Sequence, residues 1–241
     1  RAYMQWLNLF LSCRDSVEVY LIEAAPGLPD LTFMANAGVS YKNALILSNF
    51  YHDERRRESA VHLKFFKQMF LGNNIWILDD DAYFEGQGDA VWLNEKQLVV
   101  GYGVRTNLKG IKEVGQVLHE YDKSVEVIPI PMEKQNTFYH LDTCLFYLPN
   151  SKAFMLYPRA FTPEGLSRLR KIGDILPVTE SEAQEFVCNS VVINNKTVFT
   201  PWVNDRIKDL LAANGYSNVR VFPMSEFIKS GGAVKCLILE M

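Results

Sequence analysis

Short runs rich in Val, Ile, Leu and aromatic residues recur from one end of the chain to the other. They lie at 17–22, 44–48, 75–78, 98–102, 125–130, 154–157, 191–194, 219–222 and 234–239, and each predicts a strand. Between them the apolar positions fall at helical spacing. Val61, Phe65 and Met69 lie four apart in a helix predicted over 54–70, and further helices are predicted over 111–119, 167–172, 181–188 and 203–213. Several helix ends are marked locally. Thr162-Pro163 sets a capping hydroxyl before a proline suited to the first helical position, Thr179 and Glu182 have capping-box spacing, and Asn214-Gly215 predicts a stop. Pairs of strands separated by one helix recur roughly every 40 to 50 residues, which predicts repeated ββαβ-like units arranged as a propeller of modules. No linker or low-complexity stretch interrupts them, so residues 1–241 read as one domain.

Composition narrows the function classes. With 241 residues, 48% of them hydrophobic, the chain is long enough to bury a large core. A formal net charge of -3 and a pI near 5.9 supply no basic field for nucleic acid. The one basic cluster, Arg55 to Arg57, is flanked by Asp53, Glu54 and Glu58 and reads as a solvated helix start. Cys13, Cys144, Cys188 and Cys236 are scattered without a CxxC pair, which favours reduced thiols in a cytoplasmic protein over a disulfide framework and disfavours metal ligation. No apolar stretch reaches the length of a membrane span. Residues 2–13 are apolar, but Gln5 and Asn8 interrupt them, so they predict an amphipathic helix and not a signal peptide. The chain opens on Arg1 inside that helix, and the natural N-terminus is expected to lie upstream.

The chemistry concentrates in a few segments. In the run FYHLDTC at 138–144, an extended strand would project His140, Asp142 and Cys144 to one side; the bland alternative is a His-Asp pair satisfying itself in the core. In FEGQGDA at 84–90, two glycines and two acids, Glu85 and Asp89, share one short loop. Crowded carboxylates repel unless a cation lies between them, and a planar guanidinium with five donors fits that need; an ordinary solvated turn is the alternative. Cys236 follows Gly231-Gly232 at the start of the last predicted strand, either as a reactive thiol or as a buried structural one. Lys235 next to it would face the opposite side of such a strand. In PDLTFMANAG at 29–38, Asp30 and Asn36 bracket an apolar run, read as a strand and turn, and Arg105 in GYGVRTN at 101–107 is a cation at a strand end suited to a substrate carboxylate.

These segments, with SGGAVKC at 230–236 and in this order, resemble the guanidine-modifying, or pentein, superfamily. It includes arginine deiminases, arginine dihydrolases, dimethylarginine dimethylaminohydrolases and amidinotransferases. The resemblance runs from about Leu21 to the C-terminus. It implies an α/β propeller of about five ββαβ modules, the first allowed to be truncated, and a small-molecule substrate such as arginine or a methylated arginine. No cofactor, metal, nucleic acid or membrane is implied, and a homo-oligomer is allowed. By the same resemblance Cys236 is the nucleophile and His140 the acid and base, with Glu85, Asp89, Asp142, Asn36, Arg105 and Phe33 binding substrate. Deiminases usually carry Arg-Asp where this chain has Ala35-Asn36, a departure shared with dihydrolase-like enzymes of cyanobacterial type. The spacing of Glu85 and Asp89 is one residue longer than in deiminases, and RTN at 105–107 is similar to the dimethylarginine hydrolases.

The expected reaction is attack of the Cys236 thiolate on the guanidinium carbon, protonation of the departing amine by His140, and hydrolysis of an S-alkylthiouronium intermediate. Three alternatives stand beside it: amidino transfer to an amine, an inactive binding protein on the same fold, and a papain-like protease. A protease of that kind usually places its cysteine ahead of its histidine, the reverse of the order found here.

Overall fold

Four times along the chain a pair of antiparallel strands is followed by a helix and a third strand that returns parallel to the second. The structure, a computed structural model, describes residues 1–69 and 74–241. In the first unit β1 (Gly38–Tyr41) and β2 (Ala44–Leu47) form a hairpin, and β3 (Ile75–Trp76) pairs with β2 after helices Asp53–Arg56 and Glu58–Met69. The second unit is β4 (Ala90–Asn94), β5 (Gln97–Tyr102), helix Leu108–Tyr121 and β6 (Glu126–Pro131). The third is β7 (Leu145–Leu148), β8 (Ala153–Leu156), helix Pro163–Arg170 and β9 (Asp174–Pro177), and the fourth β10 (Val191–Ile193), β11 (Thr197–Thr200), helix Asp205–Ala213 and β12 (Asn218–Val221). A parallel return needs a crossover, and the helix supplies it each time. The expected helix over 54–70 ends at a residue, Phe70, that lies outside the described residues.

The helix signals act as expected. Thr162 accepts a hydrogen bond from Gly165 N, Thr179 and Glu182 form a reciprocal capping box, and Gly215 takes the left-handed conformation (φ 90°) just past the helix Asp205–Ala213. Two predicted strands are not strands. Residues 17–22 run without a ladder, Val17 and Val19 packing inward while Tyr20 and Leu21 are exposed. Residues 234–239 contain the 3-10 turn Lys235–Leu237, because Asn189 takes the backbone donors of Lys235 and Cys236 that a ladder would need. The strand and turn expected over 29–38 is instead two 3-10 turns, Pro29–Thr32 and Met34–Ala37, with the strand starting at Gly38.

The largest core is shared by the second, third and fourth units and includes Val99, Ile130, Leu148, Phe154, Leu169, Val198 and Ile207, all buried. Each such side chain contributes about 1.5–3 kcal/mol of transfer free energy. The N-terminal helix, Ala2–Arg14, buries Leu9 and Cys13 against Phe199, Phe222 and Val234. Gln5, the polar break in that apolar run, holds the helix in place by bonding Ser225 Oγ and the backbone N–H of Glu226. Among the described residues no helix is long and apolar enough to cross a membrane.

Candidate active site

The first strand of every unit is entered from a tight turn, which is about one turn of helix in three of them: Met34–Ala37 before β1, Gly86–Asp89 before β4 and Leu141–Cys144 before β7. Residues 185–189 before β10 form a non-helical turn in which Phe186 is left-handed (φ 58°), and Lys235–Leu237 is a fifth, a single 3-10 turn. They pack against one another in the interior. A single turn leaves backbone groups without intrahelical partners, and buried ones must be satisfied from outside. Side chains of neighbouring turns do this: Asp89 Oδ1 accepts Leu141 N (3.2 Å), Asn189 Oδ1 accepts Cys236 N (3.1 Å), and Asn36 Nδ2 donates to Glu85 O (3.4 Å). Polar residues at five turns are thereby gathered into one place.

This geometry corrects the extended reading of 138–144. His140 caps a helical turn, closed by hydrogen bonds from Thr143 N and Oγ1 to His140 O, and the same carbonyl accepts the Cys144 thiol, so Cys144 points into the core. Residues 84–90 are likewise no solvated loop, since Glu85, Gly86, Gln87, Gly88 and Asp89 are all buried. Gly88 is required there because a Cβ would stand 2.1 Å from Asn36 Nδ2.

On one side of the site Cys236 Sγ lies 3.2 Å from Asp142 Oδ2 and receives a hydrogen bond from Asn189 Nδ2 at 3.0 Å. Burial and the Asp142 carboxylate push the thiol well above its ordinary pKa. Burial also raises the Asp142 carboxyl, against the opposing pull of His140 and Lys235. A cation bound against both the sulfur and the carboxylate would oppose both shifts, favouring thiolate and carboxylate together.

On the other side His140 Nε2 lies 2.6 Å from Glu85 Oε2. Burial disfavours the imidazolium, but Asp89, the Glu85 hydrogen bond and charge, and Asp142 outweigh it, so the pKa of His140 is raised. Burial alone would raise Glu85; the bond and charge of His140, with Arg105 and Arg55, bring it down to about 2. Asp89 is pushed up to about 6 by burial and Glu85, against His140, and its second oxygen accepts the Thr106 hydroxyl at 2.7 Å.

A cavity of about 300 Å³, at the lower end of small-molecule sites, is lined by Phe33, Asn36, Arg105, Tyr139, His140 and Cys236 among others. Of the residues expected at the site, Phe33, Asn36, Arg105, His140 and Cys236 meet there. Glu85 and Asp142 stand directly behind, touching His140 and Cys236. Asp89 lies deeper, with both oxygens engaged. Arg105 Nη1 is 3.8 Å from Glu85 Oε1.

Tyr139, which lines the cavity, was not among the expected site residues, and neither were Arg55 and Asn189. Arg55 is no solvated helix start: it is buried in a two-pronged pair with Glu58 (3.0 and 2.8 Å), stacks on Phe50, lines the cavity and donates from Nη1 to Asn36 Oδ1 at 2.9 Å. The only local signal was the acid three residues on. Asn189, which holds Cys236 by sulfur and backbone, is the one amide in the run Phe186 to Ser190 and carries no motif.

Residues 13–177 match the family model for arginine deiminase. An uncharacterized protein of Caenorhabditis elegans is 36% identical over all of this chain and 84% of its own length. The bifunctional arginine dihydrolase/ornithine cyclodeaminase ArgZ of Synechocystis is 35% identical, this chain spanning 33% of it. A dimethylarginine dimethylaminohydrolase of Mycobacterium tuberculosis is 31% identical over all of this chain and 76% of that protein. Among solved structures, the substrate-bound N-terminal domain of ArgZ, in a cysteine-to-serine variant, superimposes with a TM-score of 0.90 at 33% identity, covering 99% of this chain and 86% of that one. A dimethylarginine dimethylaminohydrolase at 20% identity shares the fold with a TM-score of 0.82. The chain therefore belongs to the arginine deiminase family of guanidine-modifying, pentein-fold proteins.

Proposed function

We propose that residues 1–241 act as one catalytic unit, a cysteine-dependent hydrolase of the guanidinium group of arginine or an arginine derivative, of the dihydrolase type. The observation that carries this reading is the pairing of Cys236 with Asp142 and of His140 with Glu85 around one cavity that also holds Arg105. A substrate guanidinium bound against Asp142 and Glu85, with Asn36 as an amide partner, supplies the missing cation beside Cys236 and lowers the thiol pKa, while Arg105 receives the α-carboxylate.

The sulfur, once deprotonated, forms a bond to the guanidinium carbon. His140, whose imidazolium form is favoured because its pKa is raised, gives a proton to one nitrogen, which departs as ammonia. The product of this step is a thiouronium that keeps its delocalised positive charge, so carboxylates, not an oxyanion hole, are the useful electrostatic partners. Neutral His140 then takes a proton from water, the hydroxide adds to the same carbon, and the C–S bond breaks. One pass yields a ureido product, and a second pass on that product yields the amine, carbon dioxide and a second ammonia. Asn36, a neutral amide in place of a carboxylate, leaves room for a ureido group to bind again without repulsion. The thiol chemistry suits a reducing compartment such as the cytoplasm, and self-association is compatible with a cavity built from one chain.

The test is incubation with L-arginine, asymmetric dimethylarginine, or L-arginine plus glycine, with products identified by mass spectrometry. Ornithine with two ammonia per arginine is the expected result. Citrulline with dimethylamine would assign the methylarginine reaction, guanidinoacetate would assign amidino transfer, and no Cys236-dependent product from any mixture would overturn the reading.

A further inference from the structure

Tyr139 touches all three working parts of the cavity. Its ring lies under the Arg105 guanidinium, 4.6 Å from centroid to Cζ. The same ring meets the His140 imidazole edge-on at 4.8 Å. Its hydroxyl donates to Gly231 O at 2.9 Å, in the turn five residues before Cys236. That turn is shaped around the phenol: Gly231 is left-handed (φ 83°), and a Cβ there would stand 2.1 Å from Tyr139 Oη. Burial raises the phenol pKa, so the group remains a donor.

Among the described residues no carboxylate lies within hydrogen-bond distance of Arg105. Its nearest carboxylate contact among the described residues is Glu85 at 3.8 Å, beyond hydrogen-bond range, so the stack on Tyr139 sets where its charge sits. On the far side, the turn from Gly231 runs to Ala233 and Cys236, whose backbone N–H groups are both held by Asn189 Oδ1. One rigid side chain, with two rotatable angles and both ends engaged, therefore spans the cation and the base of the sulfur-bearing turn.

We propose that Tyr139 is a positioning residue that fixes the separation between Arg105 and Cys236, so that the site measures the chain length between the carboxylate and the guanidinium of its substrate. This rests on the reading of Arg105 and Cys236 given above. A guanidino acid one methylene shorter or longer presents its carbon to the sulfur at the wrong distance while its carboxylate is held, which is a loss in turnover more than in binding.

The test compares wild type with Tyr139→Phe, which keeps the stack and deletes the bond to Gly231, and with Tyr139→Leu, which removes both. For Tyr139→Phe the expected result is an arginine KM within about twofold of wild type and a kcat lower by about five- to tenfold, the size of one lost hydrogen bond. The preference for L-arginine over its homologue one methylene shorter should fall with it. Tyr139→Leu should in addition raise KM by more than about tenfold, through loss of the stack under Arg105. Alkylation of Cys236 by 2-chloroacetamidine, a cation without a carboxylate, needs no turnover and should slow by a similar factor in Tyr139→Phe. If wild type is alkylated at Cys236 yet leaves arginine unchanged, the hydrolase reading fails and the alkylation comparison still decides the role of Tyr139. The proposal is overturned if Tyr139→Phe matches wild type within twofold in alkylation rate and, where turnover exists, in kcat and chain-length preference. A change confined to KM or to melting temperature would overturn it equally.

Discussion

The side-chain amide of Asn189 grips Cys236 twice, its nitrogen donating to Sγ at 3.0 Å and its oxygen accepting the cysteine's own backbone N–H at 3.1 Å. A donor to sulfur favours thiolate, whereas the acid 3.2 Å away on Asp142 opposes it. Asn189→Ala should leave the Cys236 and Ala233 N–H groups unpaired, at about 1–3 kcal/mol of stability. It should also move the pH at which Cys236 is alkylated upward. Denaturant unfolding and the pH dependence of alkylation by a neutral reagent check both; unchanged alkylation would remove Asn189 from the site.

Glu85 helps keep His140 charged. In Glu85→Gln the imidazole loses its 2.6 Å carboxylate partner, so its pKa falls and the alkaline limb of the pH–rate profile moves to lower pH. Stability gives the complementary check. The folded pKa of Glu85, about 2, lies below its ordinary value of 4.5. Its contribution is present above pH 4.5 and lost as pH falls toward 2, so the acid unfolding of wild type should be steeper than that of the variant across this window.

Asp89 works in the opposite sense. Its carboxyl, raised from 3.8 to about 6 by burial, favours the folded state when protonated. That contribution is present below pH 3.8 and lost as pH rises through 6, an amount on the order of 3 kcal/mol. Melting temperatures of Asp89→Asn and wild type, taken at pH 4 and pH 8, should differ by more in the variant's favour at the higher pH. A constant difference would show that Asp89 does not titrate in this range.

Arg55 and Glu58 form a buried pair in contact with the site through Asn36. Arg55→Met should destabilise by about 3–5 kcal/mol, because Glu58, 1% exposed, is left charged and alone. Arg55→Met with Glu58→Leu should recover much of that stability without recovering activity, since Asn36 Oδ1 still lacks its donor. Thermal unfolding and turnover, measured on the same samples, separate the two effects.

These residues also mark what the sequence made legible. Cys236, His140 and Glu85 stand out because polar, reactive side chains sit beside glycines and apolar runs in a recognisable order, and the ββαβ rhythm shows through the strands at 98–102 and 125–130 and the helix between them. Arg55 was hidden because a run of three arginines among acids has the composition of a surface; only tertiary packing reveals the Glu58 and Asn36 partners. Asn189 was hidden for want of any local pattern. The helical turns at 86–89 and 141–144 read as loop or strand because four residues are too few to show a period. Thr143, bonding back to His140 O, decides the conformation there. The expectation of about five modules rests on the family resemblance; the described residues hold four three-stranded sheets, with Lys235–Leu237 as a fifth turn beside the four that lead into them.

The central claim is that Cys236 bonds to the guanidinium carbon, and intact-protein mass spectrometry of the wild type, acid-quenched during turnover of L-arginine, tests it most directly. The account predicts a mass gain equal to arginine less ammonia, located on the peptide containing Cys236 and absent from Cys236→Ser. Product formation by Cys236→Ser, or an adduct on any other residue, would contradict it.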